Sequence, residues 1–490
     1  MKTWKKLKAL WRILDRYDGA TFSTSRSLSF GAVQNAHLDL NKASRTELVR
    51  KVRELEKNNG IVNKCADLSE QFVAGPGGMP VVAASSDAKW NSNAQAWWDQ
   101  WCGMCDVQSL QSFGTIQGLL ARMVEIDGEA FILKTQGDTG NPRIQILEGH
   151  NIETPASRAK DEGKIPGIID GVEVNEVGRP TAYYLIDGTP NGKRIDAAAV
   201  IHYFEPSRPG QYRGLTPWHA VINDLIDLDD LQTLEMRAAK DAAEVSNVLT
   251  SENGEVNIDD LRRELRGVTT QDSSGTAKTE NRAEFVRDAI GGRTLALRIG
   301  EKLEQFRSDR PNVATQDYWD YLVGKVCAGR GISKLLSFPY GKFQGTLVRA
   351  ELDVAAGFFR CRSSVLQDVI RQIWIYVMGT AIRRDPSLSN APKDWVKVSI
   401  VPPRAPNVDV GYNSAAMIAE WKAGVRTLAS ICQPLGLDWK EVIRQRAAEA
   451  LEIRRVAKDA GLEPEDIANP TEKTPVEEPQ PHDTNELVQS

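Results

Sequence analysis

The chain has 490 residues, of which 26% are charged and 41% hydrophobic, and its formal net charge at pH 7 is −5. These values are typical of a globular protein with several domains. Proteins that hold duplex DNA tightly usually carry a basic excess, so the balance argues against a tight DNA clamp. It is compatible with a protein that touches DNA while letting it slide.

The six cysteines are too few and too scattered for a secreted disulfide framework. No apolar run approaches the roughly 20 residues that span a bilayer, and the basic N-terminus lacks the features of a signal peptide. We therefore expect a cytoplasmic protein with reduced thiols and no membrane partner.

Residues 1–43 are predicted to form a basic amphipathic helix followed by an extended arm. Trp4, Leu7, Leu10, Trp11 and Leu14 recur at helical spacing, with lysines and an arginine between them. Membrane-surface binding is one interpretation. Packing on a partner subunit or on the chain's own core is the favoured one.

Residues 44–215 show helices first and then short strands. Ser44 and Glu47 resemble a capping box, which predicts a helix from Glu47 to Phe72. A tryptophan cluster then indicates a helix that buries one face. Alternating segments predict a mostly antiparallel sheet in an α+β fold. The tryptophans are Trp90, Trp97, Trp98 and Trp101, and the strands are 129–135, 143–149, 171–176 and 181–187.

The next part of the chain has a helix, an excursion and a second helix. Thr216 and Pro217 are suited to the start of a long helix over 216–245. Residues 246–310 are polar and rich in turns, which indicates a small separate lobe. A helix is predicted from Ala314 to about Ala328. A loop then holds four glycines, one proline and three basic residues at 329–346.

The C-terminal part begins with a very long helix, from Leu347 to about Ile382, and a strand at 395–403 follows. Two further helices are predicted at 414–424 and 439–460. The second is capped by Asp438 and stopped by Gly461. The tail 463–490 is rich in Pro, Glu, Thr and Asn, so we predict that it is disordered.

Motifs for chemistry are missing from the sequence. It has no Walker A pattern, no G-x-S-x-G elbow and no H-E-x-x-H helix. Cys102 and Cys105 form a C-x-x-C, but a second ligand pair for zinc and a thioredoxin-like context are both absent. Packing in an apolar helix face is the favoured interpretation. We expect no catalytic, cofactor-binding or metal-binding residues, and no cofactor.

Several segments, in order, resemble the lambda-type portal family of tailed phages. The residues DGEAFI (127–132) and GVEVNEVGRPTAYYL (171–185) are similar to strands of the family's wing region. The segment HYFEPSRPGQYRGLTPWHAVI (202–222) resembles the entry to its first stem helix. Other similar segments lie at 53–65, 295–312, 332–353 and 420–449, so the resemblance extends from about residue 45 to 462.

This resemblance implies a portal fold that assembles into a ring, usually of twelve subunits, at one capsid vertex of the virion, after synthesis in the host cytoplasm. It implies as partners double-stranded DNA bound without sequence preference, the large terminase subunit, the major capsid or scaffold protein, and head-completion or adaptor proteins. The implied regions are a wing (44–215), a first stem helix (216–245), a clip (246–310), a second stem helix (313–330), a tunnel loop (331–346), a spine helix with a wing strand (347–411) and crown helices (412–462).

In such a ring, DNA is expected to meet weak, sequence-independent contacts. The candidate cations are Lys334, Lys342 and Arg349, beside Gly329, Gly331, Gly341 and Gly345, which would make the loop flexible. Pairing of these cations with acids of neighbouring subunits is an equal alternative. Acidic residues of the first stem helix would discourage DNA from sticking, and they include Asp224, Asp227, Asp229, Asp230 and Glu235.

Two other functions are considered. A DNA-processing enzyme, such as a nuclease or a packaging ATPase, would need a carboxylate cluster for metal or a phosphate loop. A different ring-forming head–tail adaptor would generally be a much shorter chain. The portal therefore remains the favoured function, and we expect no enzymatic activity.

Overall fold

The computed structural model describes residues 33–138, 140–244, 247–249, 294–296, 313–337, 345–406, 417–432 and 439–461. The predicted N-terminal helix, most of the predicted clip and the predicted disordered tail lie outside these residues. The described part combines helices with short, mainly antiparallel sheets, so the predicted α+β class is confirmed. None of its helices is long and apolar enough to cross a membrane.

The first half of the described chain contains five helices. They are α1 (Ala36–Asp39), α2 (Lys42–Asn58), α3 (Gly60–Ser69), which continues as a π-helical turn over Glu70–Ala74, α4 (Ala88–Cys102) and α5 (Phe113–Ile126).

The predicted capping box at Ser44 and Glu47 is wrong. Helix α2 begins earlier, because the side chain of Asn41 accepts a hydrogen bond from the backbone N–H of Ser44. The predicted continuous helix to Phe72 is also interrupted at Asn59, which has an extended backbone and caps α3.

Eleven strands are described. They are β1 (Val81–Ala83), β2 (Glu129–Gln136), β3 (Pro142–Leu147), β4 (Gly167–Ile169), β5 (Val172–Val174), β6 (Pro180–Leu185), β7 (Lys193–Asp196), β8 (Val200–Phe204), β9 (Asn247–Leu249), β10 (Thr294–Ala296) and β11 (Val398–Ile400). The sheets have the orders β3-β2-β8, β4-β5-β6-β7 and β1-β11, all antiparallel, while β9 and β10 pair in parallel.

Seven further α-helical segments complete the described chain. They are α6 (Ile222–Glu244), α7 (Val313–Arg330), α8 (Lys334–Ser337), α9 (Gly345–Arg384), α10 (Leu428–Cys432) and α11 (Trp439–Ala460), and residues 417–422 are also helical.

Helix α6 begins later than Thr216 and Pro217 predict. Before it, the backbone N–H of His219 donates to the carbonyl of Thr216, and that of Val221 donates to the carbonyl of Trp218. These turns place the Trp218 ring in the core, where it is 1% exposed. Burial of that ring therefore competes with an earlier helix start.

The main core lies between α4, α5, α9 and the small β1-β11 sheet. Trp98 is its centre, with ring centroids 4.8 Å from Trp101, 5.3 Å from Phe113 and 4.9 Å from Trp374. The predicted burial of one tryptophan face on a helix is confirmed. Cys105 is fully buried in this core and the half-buried Cys102 packs against it, although Cys105 lies beyond the end of α4 and not on the predicted helix face.

Candidate functional site

Helices α6 and α7 form an antiparallel pair at the two ends of the segment 245–312. Leu225 and Leu228 of α6 share one apolar cluster with Leu322, Val323 and Val326 of α7. The same cluster includes residues of α2 and α3, so the pair is anchored to the N-terminal helices. The chain thus leaves and re-enters the described body through two packed helices.

The predicted acidic residues of α6 fall into different environments. The carboxylate of Asp224 lies 2.7 Å from the ammonium of Lys325 on α7, and this contact raises the pKa of Lys325. Asp229 accepts a hydrogen bond of 3.0 Å from the side-chain amide of Asn59. Asp227 and Asp230 are exposed. The two exposed carboxylates are therefore the better candidates for an acidic channel surface.

The predicted cations are also separated. The ammonium of Lys334 lies 2.8 Å from the carboxylate of Asp320 in its own chain, and its side chain is only 22% exposed. Arg349 is exposed near the start of α9. Lys342 lies outside the described residues. An acid of the same chain therefore pairs with Lys334.

Two of the predicted loop glycines have structural roles at the end of α7. Gly331 has a φ of +76°, and the carbonyls of Cys327 and Ala328 accept hydrogen bonds from Ile332 and Gly331 in a Schellman-type ending. Gly329 lies inside α7, where a Cβ would be 2.5 Å from the side chain of Val221. Placing Gly329 in the loop was therefore wrong, since close helix packing requires it.

The other two glycines give less information. Gly345 is the first residue of α9, and Gly341 lies outside the described residues. The segment between α7 and α9 also contains the short helix α8, which the sequence did not indicate. A flexible loop at 338–344 stays a prediction.

A buried charge cluster joins the end of α7 and the middle of α9 to α5. Glu125 of α5 accepts hydrogen bonds from Arg330, the last residue of α7, at 2.8 Å, and from Arg362 of α9. The hydroxyl of Ser69 also donates to it, at 2.9 Å, and Arg362 donates to Glu205 at 2.9 Å. We call Glu125, Arg330 and Arg362 the junction cluster.

The electrostatics of the junction cluster favour the charged forms. Complete burial would raise the pKa of Glu125, but Arg330 and Arg362 together hold it below its ordinary value. Burial opposes the charge of Arg362, yet Glu125 and Glu205 raise its pKa. The Arg330 guanidinium also lies 5.7 Å from the ring of Trp218 and 5.3 Å from that of Phe358.

A second buried cluster lies beside the β3-β2-β8 sheet. Glu129 accepts hydrogen bonds from Arg213 at 3.0 Å and from the backbone N–H of Gly214 at 2.7 Å. His202 lies 3.2 Å from the same carboxylate, and Arg45 contacts both Glu129 and Asp170. We call Glu129, Arg213, Asp170, Arg45 and His202 the sheet cluster.

Sequence reasoning missed both clusters. Glu125 could have been noticed in the sequence, because it is the one carboxylate of the mainly apolar helix α5 and lies between apolar residues. Its partners gave none, since Arg330 and Arg362 lie 205 and 237 positions further along the chain.

Groups suited to catalysis or metal binding are not brought together in the described ranges. No group of three or more His, Cys, Asp and Glu side chains there could hold a metal ion. Burial raises the pKa of Cys102 and of Cys105 to about 12, so both thiols stay protonated at neutral pH.

Comparison with known proteins identifies the family. The model described as phage portal protein, lambda family, matches residues 23–337, which is more than half of the chain. This chain belongs to the lambda family of phage portal proteins. The resemblance found in the sequence is thereby confirmed, and the chain is a portal protein, a member of a structural class.

Individual portal proteins align over different lengths. The probable portal protein of Halomonas phage phiHAP-1 is 27% identical over 219 residues, which are 41% of this chain and 42% of that protein. Portal protein B of Escherichia phage lambda is 23% identical over 461 residues, 84% of each chain.

Solved structures of gene transfer agent particles are also similar. A chain of the virion of the native particle has a TM-score of 0.45 at 12% identity, covering 82% of this chain and 98% of that one. A chain of the native neck computed with C12 symmetry has a TM-score of 0.46 at 13% identity, covering 81% and 94%.

Proposed function

We propose that copies of this portal protein form a ring at one vertex of a phage capsid, and that the hole of the ring is the channel for DNA. The membership of the lambda portal family, over residues 23–337, carries this proposal. On the same basis we propose a ring of twelve subunits, a location in the virion and an assembly stage in the host cytoplasm.

The region names remain part of the proposal. The antiparallel pair α6 and α7 corresponds to the two stem helices, α9 to the spine helix and α11 to a crown helix. The segment 246–310, between the stem helices, would form the clip. In a ring, the junction cluster would hold the stem helix α7 and the spine helix α9 at a fixed angle on either side of the tunnel loop.

The partners would follow from the position in the capsid. We infer that the ring docks the large terminase subunit during packaging, then head-completion or adaptor proteins, and contacts the major capsid or scaffold protein. The ring itself would have no enzymatic activity and would touch DNA weakly through exposed cations.

Electron microscopy and mass photometry of the purified protein test whether it forms a ring. We expect flanged closed rings with a central hole, and no hydrolysis of ATP or cleavage of duplex DNA. A particle population that stays monomeric at all protein concentrations would contradict the ring. Measurable nuclease or ATPase activity would contradict the absence of enzymatic function.

A charge reversal in the tunnel loop tests the DNA contact. Lys342→Glu is expected to leave ring assembly intact and to reduce the DNA packaged per head. Lys193→Glu, an exposed lysine of β7, is the matched control and is expected to package normally. An unchanged DNA yield with Lys342→Glu would contradict the proposed contact.

A further inference from the structure

Helix α11 is long but makes little contact with the other described helices and strands. Among its described side chains only Ala457 is buried, and α10 is the main described element that the helix contacts. A helix of this length gains most of its stability from packing of an apolar face. The large exposed area of α11 therefore indicates a partner outside the single chain.

The N-terminal end of α11 faces the chain's own body. Trp439, Lys440 and Arg444 line a cleft of about 740 Å³ together with residues of α4 and β11. The residues of α11 after 448 do not line this cleft.

The C-terminal half of α11 has one apolar edge. Successive residues of a helix are rotated by about 100°, so residues three, four and seven apart share one side. Ala450, Ile453, Ala457 and Ala460 follow this spacing. Ala457 is 1% exposed and Ile453 is half-buried, so the chain covers the middle of this edge, whereas Ala450 and Ala460 at its ends are exposed.

The remaining surface of this half is divided lengthwise by charge. One side carries Leu451, Arg454, Arg455 and Lys458, which we call the basic strip, and all four residues are exposed. The other side carries Glu449, Glu452, Val456 and Asp459, which we call the acidic strip, and these are exposed as well. The two strips are centred about 130° apart around the helix axis.

Each strip also contains one exposed aliphatic side chain. Leu451 in the basic strip is 67% exposed, and Val456 in the acidic strip is 43% exposed. At the border between the strips, Arg455 donates to Glu452 at 2.7 Å, but both side chains remain mostly exposed. Each strip therefore offers a small apolar contact surrounded by charges of one sign.

In a closed ring of identical subunits, each subunit uses two different surfaces, one for each neighbour. Its contacts are heterologous, because one surface of each subunit meets a different surface of the next. Parallel copies of α11 would place the basic strip of one beside the acidic strip of its neighbour. The two signs match, and opposite potentials across an interface favour the correct pairing.

We propose that α11 is a ring-interface helix whose basic strip binds the acidic strip of α11 in the next copy of the chain. In this contact Leu451 packs beside Val456 of the neighbouring copy. The inference rests on the ring proposed above. It adds that neighbouring subunits contact each other through their α11 helices.

Charge reversal with complementation tests the pairing. One variant combines Arg454→Glu with Lys458→Glu, and the other combines Glu449→Lys with Glu452→Lys. In each variant both strips have the same sign, so the protein concentration at the assembly midpoint should rise about tenfold or more at low salt.

Mixing the two variants should restore assembly, because a copy with two acidic strips fits between copies with two basic strips. The control carries Arg50→Glu and Lys57→Glu, which reverse two exposed charges on α2, away from α11. It is expected to assemble at the wild-type midpoint. In 1 M salt, the difference between wild type and the reversal variants should largely disappear.

Cross-linking tests the contact independently of charge and remains informative if a reversal variant fails to fold. The double variant Leu451→Cys with Val456→Cys should give a ladder of disulfide-linked copies under oxidation. Leu451→Cys alone should give no ladder beyond that of the wild type, which has the exposed Cys361.

Three results would overturn the inference. They are an unchanged assembly midpoint in both reversal variants, the absence of rescue on mixing, and a loss of duplex-DNA binding by the Arg454 and Lys458 variant without any change in assembly. Rings of normal stability in these variants would refute this interface and leave the ring itself standing. A wild-type chain that forms no ring would refute the proposed function instead.

Discussion

The junction cluster and helix α11 both concentrate charged residues, but in opposite environments. The three charges of the junction cluster are buried, and each is bonded to partners from distant segments of the same chain. The charges of α11 are exposed and sorted by sign along the helix. The comparison teaches that the first set holds one subunit in shape, whereas the second is suited to contacts between subunits.

This difference follows from solvation. A buried charge without a partner is strongly destabilising, so its partners must be fixed within the fold. An exposed charge is well solvated and contributes little to folding, which leaves its position free to be set by an external contact.

The largest expected effect comes from removing the shared carboxylate of the junction cluster. Glu125→Gln leaves Arg330 and Arg362 buried with one anion fewer, so we expect a loss of about 3–5 kcal/mol in the free energy of unfolding. Urea denaturation measures it. The control Glu205→Gln removes a contact of the same Arg362 from a side chain that is 34% exposed, and should cost about 1 kcal/mol or less. Equal losses of unfolding free energy in Glu125→Gln and Glu205→Gln would contradict the special role of the buried carboxylate.

A smaller effect is expected from packing beside the junction cluster. Gly329→Ala places a methyl group where Val221 already lies, so we expect a loss of about 1–3 kcal/mol. Gly324→Ala in the same helix has no atom within 4 Å of the added group and should stabilise by about 0.5–1 kcal/mol. Thermal unfolding of both variants would show opposite shifts; a gain in both would mean that the α7 end is loosely packed.

The sheet cluster extends the comparison to pH. Burial lowers the pKa of His202, with Arg213 and Arg45 acting in the same direction against the attraction of Glu129. The unfolded chain binds this proton from about pH 6.5 downward and the folded chain binds it only at a lower pH, so stability falls as pH decreases.

We therefore expect the unfolding free energy to fall between pH 7 and pH 5, by no more than about 2 kcal/mol for a single histidine. His202→Gln should remove most of this slope, and the exposed His150→Gln should keep it. Urea titrations at several pH values measure the slopes. A slope that survives in His202→Gln would assign the pH dependence to other groups.

The smallest effect on folding is expected on α11. Arg455→Ala breaks a pair whose side chains are 71% and 57% exposed, so the unfolding free energy below the assembly concentration should change by less than about 0.5 kcal/mol. The same variant should shift the ring-assembly midpoint measurably. A large loss of unfolding free energy in Arg455→Ala, with an unchanged assembly midpoint, would show that the charges of α11 stabilise the subunit and not the contact between subunits.

Local patterns predicted some elements well and others poorly. Helix α11 was predicted at its observed bounds, because its period is regular and Gly461, with a φ of +67°, ends it. The strands β2, β3, β5 and β6 were predicted from alternation, whereas β4, β7 and β8 were missed. The start of α6 was misplaced, because burial of Trp218 outweighed the capping preference of Thr216.

The candidate site was predicted only in part. Asp224 and Lys334 were named from the sequence as channel residues, but Lys325 and Asp320 of the same chain pair with them. The sequence pattern around each residue does not show these pairings, since Asp224 and Lys325 are 101 positions apart and Lys334 and Asp320 are 14 positions apart.

The sequence by itself determined the family, the α+β class and the sorted charges of α11, because motif order and the helical period are properties of neighbouring residues. Only the tertiary structure decided which charges are neutralised within the chain. It joined Glu125 to Arg330 and Arg362, and it placed Gly329, a predicted loop residue, inside α7 against the turn that precedes α6. Burial and partner choice depend on segments that are far apart in the chain, so they become visible only when the fold brings those segments together.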